Sequence, residues 1–282
     1  MSQKIRFAIN RISAPRIPFA EFAAMSRRLG VEAIEIRNDL PDVELVDGTP
    51  ASDIAATAKS NGLVVRSINA LQRFEQFDAQ REVEAKDLIK YAVESGTQAL
   101  VLCPTNSHQD ARTPEQRHAD LVHALRRLKP LLDAAGLVGL VEPLGFEECA
   151  VRRKSQAVRA FEEVGAGNSF RLVHDTFHHH LGGEGLFFPE WTGLIHVSGV
   201  EDKAMATTQM RDSHRVLVGS ADVLGNIAQL RTLLAAGYTG YASFEPFAEE
   251  IAAAQDVEAR LTASIAFMRD AVGEVTVAEQ TA

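Results

Sequence analysis

Cysteine is scarce in this sequence, since Cys103 and Cys149 are its two thiols among 282 residues. Small secreted scaffolds that depend on disulfides contain many more. Long hydrophobic runs are missing too: no stretch reaches the roughly 18 apolar residues of a membrane span, and the start, MSQKIRFAINRIS, lacks the apolar segment of a secretory signal. We therefore expect a cytoplasmic protein with no membrane partner, in which both thiols are buried apolar side chains rather than metal ligands.

Positive charge is also limited. The chain has 29 Lys and Arg residues against 38 Asp and Glu residues, and its net charge is −9. Because non-specific binding of nucleic acid depends on neutralising phosphates with Lys and Arg, this composition disfavours a nucleic-acid partner. The sequence contains no G-x-G-x-x-G, P-loop, G-x-S-x-G or H-E-x-x-H motif, which disfavours dinucleotide binding, nucleotide hydrolysis, serine esterases and one class of zinc protease.

The sequence does contain an alternation of short apolar runs with longer amphipathic ones. Between the short runs lie stretches such as 19–30, 81–96 and 115–136, whose apolar residues recur three and four positions apart, as in helices that pack on a sheet. Glycines that follow the helical stretches are typical of helix ends. The short runs are predicted strands, at 5–10, 32–37, 63–68, 99–104, 137–142, 170–175, 194–199 and 241–246.

This alternation predicts an α/β fold, specifically a (β/α)₈ TIM barrel, because eight strand–helix units in a chain of this length suit a closed barrel. An open doubly wound sheet is the alternative. The sequence offers no Pro/Gly/Ser-rich linker, so we expect one barrel domain over 1–272 and a loosely ordered tail over 273–282. A long insertion at 200–223 follows the seventh strand and should lie over the C-terminal face, where barrel active sites are found.

Acidic residues end three of the late strands. Glu142 ends the fifth, Asp175 the sixth and Glu245 the eighth, while His196 lies within the seventh and points inward if the alternation holds. Each alone is more often a helix cap or a solvated charge. Together they would place three carboxylates and an imidazole on one buried face, where repulsion and desolvation are costly unless a cation lies among them.

The sequence therefore predicts a site for one divalent metal ion. A mixed set of carboxylate and imidazole ligands suits Mn²⁺, Zn²⁺, Co²⁺ or Fe²⁺, and Mg²⁺ remains a candidate.

Further polar residues lie at the predicted mouth of the barrel. Arg37 ends the second strand, Asn69 follows the third, and Arg215 lies in the long insertion. His178 comes three residues after Asp175, within reach of a bound ligand. Forked guanidinium donors and amides are the groups that recognise polyols, so we expect Arg37, Asn69, His178 and Arg215 to bind substrate.

The sequence around these residues resembles the xylose isomerase-like TIM-barrel superfamily of sugar isomerases and epimerases. Within that superfamily it resembles the 2-keto-myo-inositol (inosose) isomerases. The resemblance covers about 7–247 and is carried by VEAIEIRNDLPD, VEPLGFEECAVRRKSQA, RLVHDTFHHH, LIHVSGVED and YASFEPF. It implies the barrel fold and a single divalent metal held by Glu142, Asp175, His196 and Glu245. It also implies that His178, Arg215 and Arg37 contact the substrate.

One departure concerns the loop after Arg215. Inosose isomerases carry a W-P-G-Q-G-like stretch there, whereas this chain reads RVLVGSADV, so its substrate can differ. The apurinic endonucleases of the same superfamily use a three-metal cluster with extra histidines after the third and fourth strands. This chain reads SINAL and LCPTN at those places, and its net charge is −9. Both observations disfavour a nuclease.

The resemblance implies a metal-dependent isomerase or epimerase of a keto-polyol or ketose, which works by proton transfer through an enediolate and belongs to carbohydrate metabolism such as inositol catabolism. Glu142 and Glu245 would be the acid–base residues. A metal-dependent dehydratase of a keto acid such as 3-dehydroshikimate is the alternative, and a non-catalytic sugar-binding barrel is a third reading. The expected partner is a small sugar or polyol, and association into a homo-oligomer stays open.

Overall fold

The computed structural model of the protein describes residues 2–277, and within that range eight parallel strands close into a barrel. Each barrel strand pairs with the next along the chain, and the last pairs with the first, so the predicted (β/α)₈ barrel is confirmed. The barrel strands are β2 (Arg6–Asn10), β3 (Ala33–Arg37), β4 (Val64–Gln72), β5 (Ala99–Cys103), β6 (Val138–Val141), β7 (Phe170–Asp175), β8 (Thr192–Val197) and β9 (Tyr241–Phe244).

Helices follow the strands and cover the outside of the barrel. Local signals fix their ends: Thr113 and Gln116 form a capping box at the start of the longest helix, and Gly136 ends it at φ 66°, a conformation that costs glycine little. None of the helices in the described part of the chain is long and apolar enough to cross a membrane. They are α1 (Phe19–Arg28), α2 (Ala51–Ser60), α3 (Ala79–Ser95), α4 (Pro114–Ala135), α5 (Lys154–Val164), α6 (Thr176–Gly182), α7 (Asn226–Ala235), α8 (Glu249–Ala252) and α9 (Val257–Val272).

The main hydrophobic core lies between the outer faces of the strands and the helices. A second, smaller cluster lies inside the barrel, where Val101, Leu140, Val173 and Leu194 meet. Because side chains alternate between the two faces of a strand, the residue two positions further along points into the barrel as well. This inner apolar layer therefore sets the inward direction of the polar residues that follow it at the C-terminal ends of the strands.

One strand end differs from the prediction in a way that matters for the site. The third predicted strand, 63–68, extends to Gln72 in β4, because Leu71 and Gln72 pair with Leu102 and Cys103 of β5. Asn69 thus lies within a strand rather than after it. Pairing with a neighbour outweighs the low strand propensity of Asn and Ala.

The predicted loose tail begins at 273, but part of it is paired. Strand β10 (Val275–Thr276) forms a two-stranded antiparallel sheet with β1 (Ser2–Gln3), and Val275 is buried. This pairing ties the two ends of the barrel chain together. Residues 278–282 of the predicted tail lie outside the described residues.

Candidate metal centre

The four side chains predicted to bind metal meet at the C-terminal mouth of the barrel. Glu142, Asp175, His196 and Glu245 each offer one ligand atom, and these atoms all lie within 4.8 Å of one another. Each residue is at most 4 % exposed. The inner layer explains the convergence, because Glu142, Asp175 and His196 each follow two positions after an inward-facing Leu140, Val173 or Leu194.

Asp175 serves two structural purposes with its two oxygens. Oδ1 accepts hydrogen bonds from the backbone N–H groups of Phe177 and His178, so Asp175 is the N-cap of α6. Oδ2 faces the centre, 2.5 Å from a terminal guanidinium nitrogen of Arg215. Capping of α6 is the common role of such an aspartate, and it accounts for Oδ1 alone. The cap fixes the carboxylate, so Oδ2 is held facing the centre.

Glu245 is held by cations on both oxygens. Arg37 donates to Oε1 at 2.8 Å, and Arg215 donates to Oε2 at 3.0 Å. Asn10 adds a donor to Oε1 at 3.2 Å. Burial raises the pKa of Glu245, but His196, Arg215 and Arg37 outweigh that effect and lower it overall. Glu245 is therefore a firmly ionised carboxylate.

Glu142 has weaker partners. Its Oε1 lies 2.9 Å from Nδ1 of His196, and its Oε2 lies 3.5 Å from the thiol of Cys103. Among residues 2–277, Glu142 forms no ion pair with Lys or Arg. The two glutamates thus differ: Glu245 is fixed by two guanidinium groups, whereas Glu142 keeps an oxygen whose protein partner is a weak thiol donor.

His196 lies between the centre and a further acid that sequence reasoning missed. Its Nδ1 faces Glu142 and Glu245, at 2.9 and 3.1 Å, while Nε2 lies 3.2 Å from Oε2 of Glu35. Burial lowers the pKa of His196, but the charges of Glu245, Glu35 and Glu142 outweigh it and raise the pKa well above its ordinary value. Burial raises the pKa of Glu35, and the charge and hydrogen bond of His196 bring it down to about 2.

Glu35 could have been found from the sequence. It lies two residues before Arg37, in a five-residue strand whose positions are all buried. It therefore faces the same side as Arg37, into the barrel. A carboxylate inside an apolar strand needs a partner, and that signal was present in EAIEIR.

The balance of buried charge favours a divalent cation. Glu35, Glu142, Asp175 and Glu245 are four buried carboxylates, and two buried guanidinium groups, those of Arg37 and Arg215, face them. The group carries a charge of −1 when His196 is protonated and −2 when His196 is neutral, as a metal ligand must be. The pairing of Arg37 with the partly exposed Asp39 makes the balance no less negative. A divalent cation would neutralise that charge, and the carboxylate and imidazole donors suit such an ion.

Comparison with known proteins agrees with this geometry. The family model described as xylose isomerase-like TIM barrel matches residues 23–271. The chain belongs to this family. A xylose isomerase domain-containing protein of Salmonella typhimurium LT2 has a similar solved structure, with a TM-score of 0.86 and 32 % identity over 96 % of this chain and 98 % of that one.

More distant members of the same barrel type share the fold. One is the IolI protein, whose crystal structure contains a bound zinc atom, with a TM-score of 0.82 and 21 % identity over 95 % of this chain and 98 % of that one. Another is D-psicose 3-epimerase from Clostridium cellulolyticum H10, solved with D-tagatose, with a TM-score of 0.74 and 16 % identity over 95 % and 99 % of the two chains. No curated protein sequence matched the chain.

The residues predicted to bind substrate surround the centre of this xylose isomerase-like barrel in different ways. His178 is 4 % exposed, its ring meets Phe146 and Phe177 edge-on at 5.3 and 5.2 Å between centroids, and its Nδ1 has no hydrogen-bond partner among the described residues. Arg37 and Arg215 pair with the acids of the centre. Their roles toward substrate stay predictions.

Asn69 differs from the other three, because its amide nitrogen donates to Glu35 and to Ser67, at 2.9 and 3.0 Å. Cys103 also departs from expectation, since this half-buried thiol borders Glu142 and not an apolar core. Burial and the charge of Glu142 raise the pKa of Cys103 well above its ordinary value, so the thiol stays protonated.

Proposed function

We propose that this protein is a divalent-metal-dependent isomerase or epimerase of a ketose or keto-polyol, acting by proton transfer through an enediolate. The observation that carries the proposal is the buried group of acids at the barrel mouth, whose negative charge exceeds that of its arginine partners. Membership of the xylose isomerase-like family supports it. So do solved structures with the same fold, among them a zinc-binding IolI protein and a D-psicose 3-epimerase.

Glu142, Asp175, His196 and Glu245 would hold the metal, since their donor atoms converge within 4.8 Å. When bound, a divalent ion supplies Lewis-acid stabilisation of the negative charge that develops on substrate oxygens. The remaining steps depend on side chains of the chain itself.

We assign removal of the substrate proton to Glu142. Glu245 has both oxygens bound by guanidinium groups, which weakens it as a base, whereas the Cys103 thiol is the one hydrogen-bond partner of Glu142 Oε2 among residues 2–277. An aldose–ketose isomerisation needs one base that returns the proton to the neighbouring carbon. An epimerisation returns a proton to the opposite face, and Glu245 would then be the acid on that side.

His178 and Arg215 would bind the substrate oxygens. Nδ1 of His178 is buried and has no hydrogen-bond partner among the described residues, so this nitrogen is available to bind a ligand. Arg215 is 1 % exposed and already lies against Asp175 and Glu245, so its guanidinium acts where water is excluded. Arg37 donates to Glu245 at 2.8 Å and would hold that carboxylate in place.

The test is exchange of substrate hydrogen with solvent. Purified protein loaded with Mn²⁺, Zn²⁺ or Co²⁺ is incubated in D₂O with inososes and ketoses, and deuterium uptake at the carbon next to the carbonyl is followed by NMR. We expect uptake that requires the metal, and that falls by about 100-fold or more in Glu142→Gln.

Three outcomes distinguish the possibilities. Metal-dependent uptake supports the proposal, and loss of uptake in Glu142→Gln protein that still binds the metal supports the assignment of the base. Absence of uptake with every inosose and ketose contradicts it. A new ultraviolet absorbance from an unsaturated product would instead favour the dehydratase.

A further inference from the structure

We infer that Glu35 is a positioning residue that keeps the proton of His196 on Nε2, so that Nδ1 is the nitrogen free to bind metal. The inference rests on the proposed metal centre and adds a residue outside its four ligands. Glu35 lies in the middle of β3 and is fully buried, and it contacts the predicted ligand His196 and Asn69, one of the positions predicted to bind substrate.

The carboxylate of Glu35 is surrounded by donors. Oε2 accepts from Ser67 Oγ, from Asn69 Nδ2 at 2.9 Å and from His196 Nε2 at 3.2 Å. Oε1 lies 3.4 Å from Nδ2 of Asn10. Strand register produces this arrangement, because Glu35 pairs with Asn10 on one side and with Ser67 on the other. A carboxylate with four donors is held in one orientation.

The direction of each hydrogen bond can be assigned around this carboxylate. Asn69 Nδ2 donates to Ser67 Oγ at 3.0 Å, which leaves the Ser67 hydroxyl hydrogen for Glu35. Oε2 of Glu35 already accepts from Ser67 Oγ and Asn69 Nδ2, so it faces His196 as an acceptor, and Nε2 of His196 must carry a hydrogen to bond with it. In a neutral imidazole, Nδ1 then has the lone pair. That lone pair points toward Glu142 and Glu245, where the metal would lie.

An outer carboxylate on a metal-binding histidine has a known physical effect. It fixes the tautomer and the ring orientation, and it raises the basicity of the nitrogen that binds the metal, with changes of about 10- to 100-fold in metal affinity when it is removed. Without Glu35, His196 could place its hydrogen on Nδ1 instead, between two acidic oxygens at 2.9 and 3.1 Å, and would then turn an N–H toward the metal.

A purely structural account competes with this one. Glu35 could serve only to satisfy buried donors inside the barrel, with His196 protonated on both nitrogens. In that case, replacing Glu35 would lower the free energy of unfolding but would leave metal affinity unchanged. Glu44 offers a matched control, because it is an equally buried carboxylate that pairs with Arg11 and shares no contact with the centre.

The experiment measures Zn²⁺ affinity of the full-length, metal-free protein by competition with a chelating dye. We expect Glu35→Gln to weaken binding by about 10-fold or more, and Ser67→Ala to weaken it less, because it removes one of the donors that hold Glu35. Glu44→Gln should bind Zn²⁺ as the wild type does, whatever its loss of stability. Circular dichroism confirms that each variant is folded.

A second readout reports the tautomer directly. In ¹⁵N-histidine-labelled, Zn²⁺-loaded protein, long-range ¹H–¹⁵N spectra should show His196 with a protonated Nε2 and a metal-bound Nδ1, its signal identified by its loss in His196→Gln. A protonated Nδ1, or equal Zn²⁺ affinity in wild type and Glu35→Gln, overturns the inference while leaving the metal site intact. If the wild type binds no divalent metal, the proposed function fails and this inference fails with it.

Discussion

Buried charge is handled differently at two places in this barrel. Outside the centre, Arg11 and Glu44 form an ion pair in which each residue is 2 % exposed. Nε of Arg11 donates to both oxygens of Glu44, at 2.9 and 3.0 Å, and its other nitrogens donate to the carbonyls of Ala14 and Ile17. One positive charge meets one negative charge, and every nitrogen of the guanidinium group has an acceptor.

At the barrel mouth the charges do not balance in this way. Glu35, Glu142, Asp175 and Glu245 face two guanidinium groups, and His196 lies among them. A buried pair with equal charges needs nothing further and indicates a structural role. A buried group with excess negative charge is stable only with a bound cation or with added protons. The difference in charge balance between the two places indicates a cation site at the barrel mouth, and no sequence motif is needed to identify it.

The largest effects are expected when one acid is removed from each place. Asp175→Asn should lose metal binding, and with it the activity, because the amide supplies no charge to the centre. Glu44→Gln should keep both and instead lower the free energy of unfolding, on the order of 3 kcal/mol, because Arg11 stays buried beside a neutral group. Metal analysis and urea denaturation of the two variants measure these effects. Retained metal in Asp175→Asn would contradict the comparison.

A substitution beside the centre tests whether excess charge alone explains the activity. His178→Gln should retain the metal but lower kcat by about 100-fold or more, because a donor to the developing oxyanion is lost. His180→Gln, two residues later on α6 and more exposed, is the matched control and should leave kcat unchanged. Steady-state kinetics on the substrate found by deuterium exchange provides the measurement. Equal losses in both variants would indicate damage to the helix rather than a role for His178.

Removing the metal tests the comparison through stability. At a metal concentration about 100 times the Kd, binding should stabilise the folded state by about 2.7 kcal/mol, which is roughly 5 °C in Tm for a chain of this size. The Tm of wild type and Glu44→Gln should fall on adding chelator, whereas that of Asp175→Asn should not. Calorimetry with and without chelator measures this. A Tm in wild type that is independent of metal would contradict a bound cation.

Lys154 provides a third case, a buried positive charge that is only partly balanced. Lys154 is 4 % exposed, and its Nζ lies 3.0 Å from Nδ1 of His174. Burial lowers the pKa of Lys154 to about 8, and Glu184 opposes only part of that effect. Burial and the charges of Lys154 and His179 lower the pKa of His174 well below its ordinary value, so His174 is neutral and adds no second positive charge beside the ammonium group.

The sign of the pH effect follows from this shift. From about pH 8 up to its ordinary pKa of 10.5, the unfolded chain binds a proton that the folded protein has lost. The free energy of unfolding therefore rises with pH in that window, on the order of 3 kcal/mol. Lys154→Met should remove the rise. Urea denaturation of the metal-free protein from pH 7.5 to 10.5 measures it, and parallel curves for variant and wild type would exclude Lys154 as the cause.

Much of the fold could be predicted from the sequence, because the spacing of apolar residues along each strand and helix is a local property. Alternating apolar runs and helical stretches fixed the eight strands and the barrel, and the inner face of each strand could be read from its own residues. Glu142, Asp175 and Glu245 could therefore be placed at the mouth from the chain alone. Their role as metal ligands remains a prediction.

Other features depend on register between strands, which no single segment encodes. The continuation of β4 to Gln72 follows from its pairing with β5, and it turns Asn69 toward Glu35. The approach of Cys103 to Glu142 also arises across neighbouring strands. Each of these contacts joins residues far apart in sequence, so it appears only when the strands are aligned.

Which residues face the inside of the barrel follows from the sequence, because alternation along a strand is a property of the strand alone. How those residues share their charges depends on the closed barrel. Glu35 meets His196, 161 positions away in the chain, because closing the barrel brings β3 and β8 across its interior. The contact between Glu35 and His196 depends on the register of every strand between β3 and β8. The residue pattern within a single strand does not determine that register.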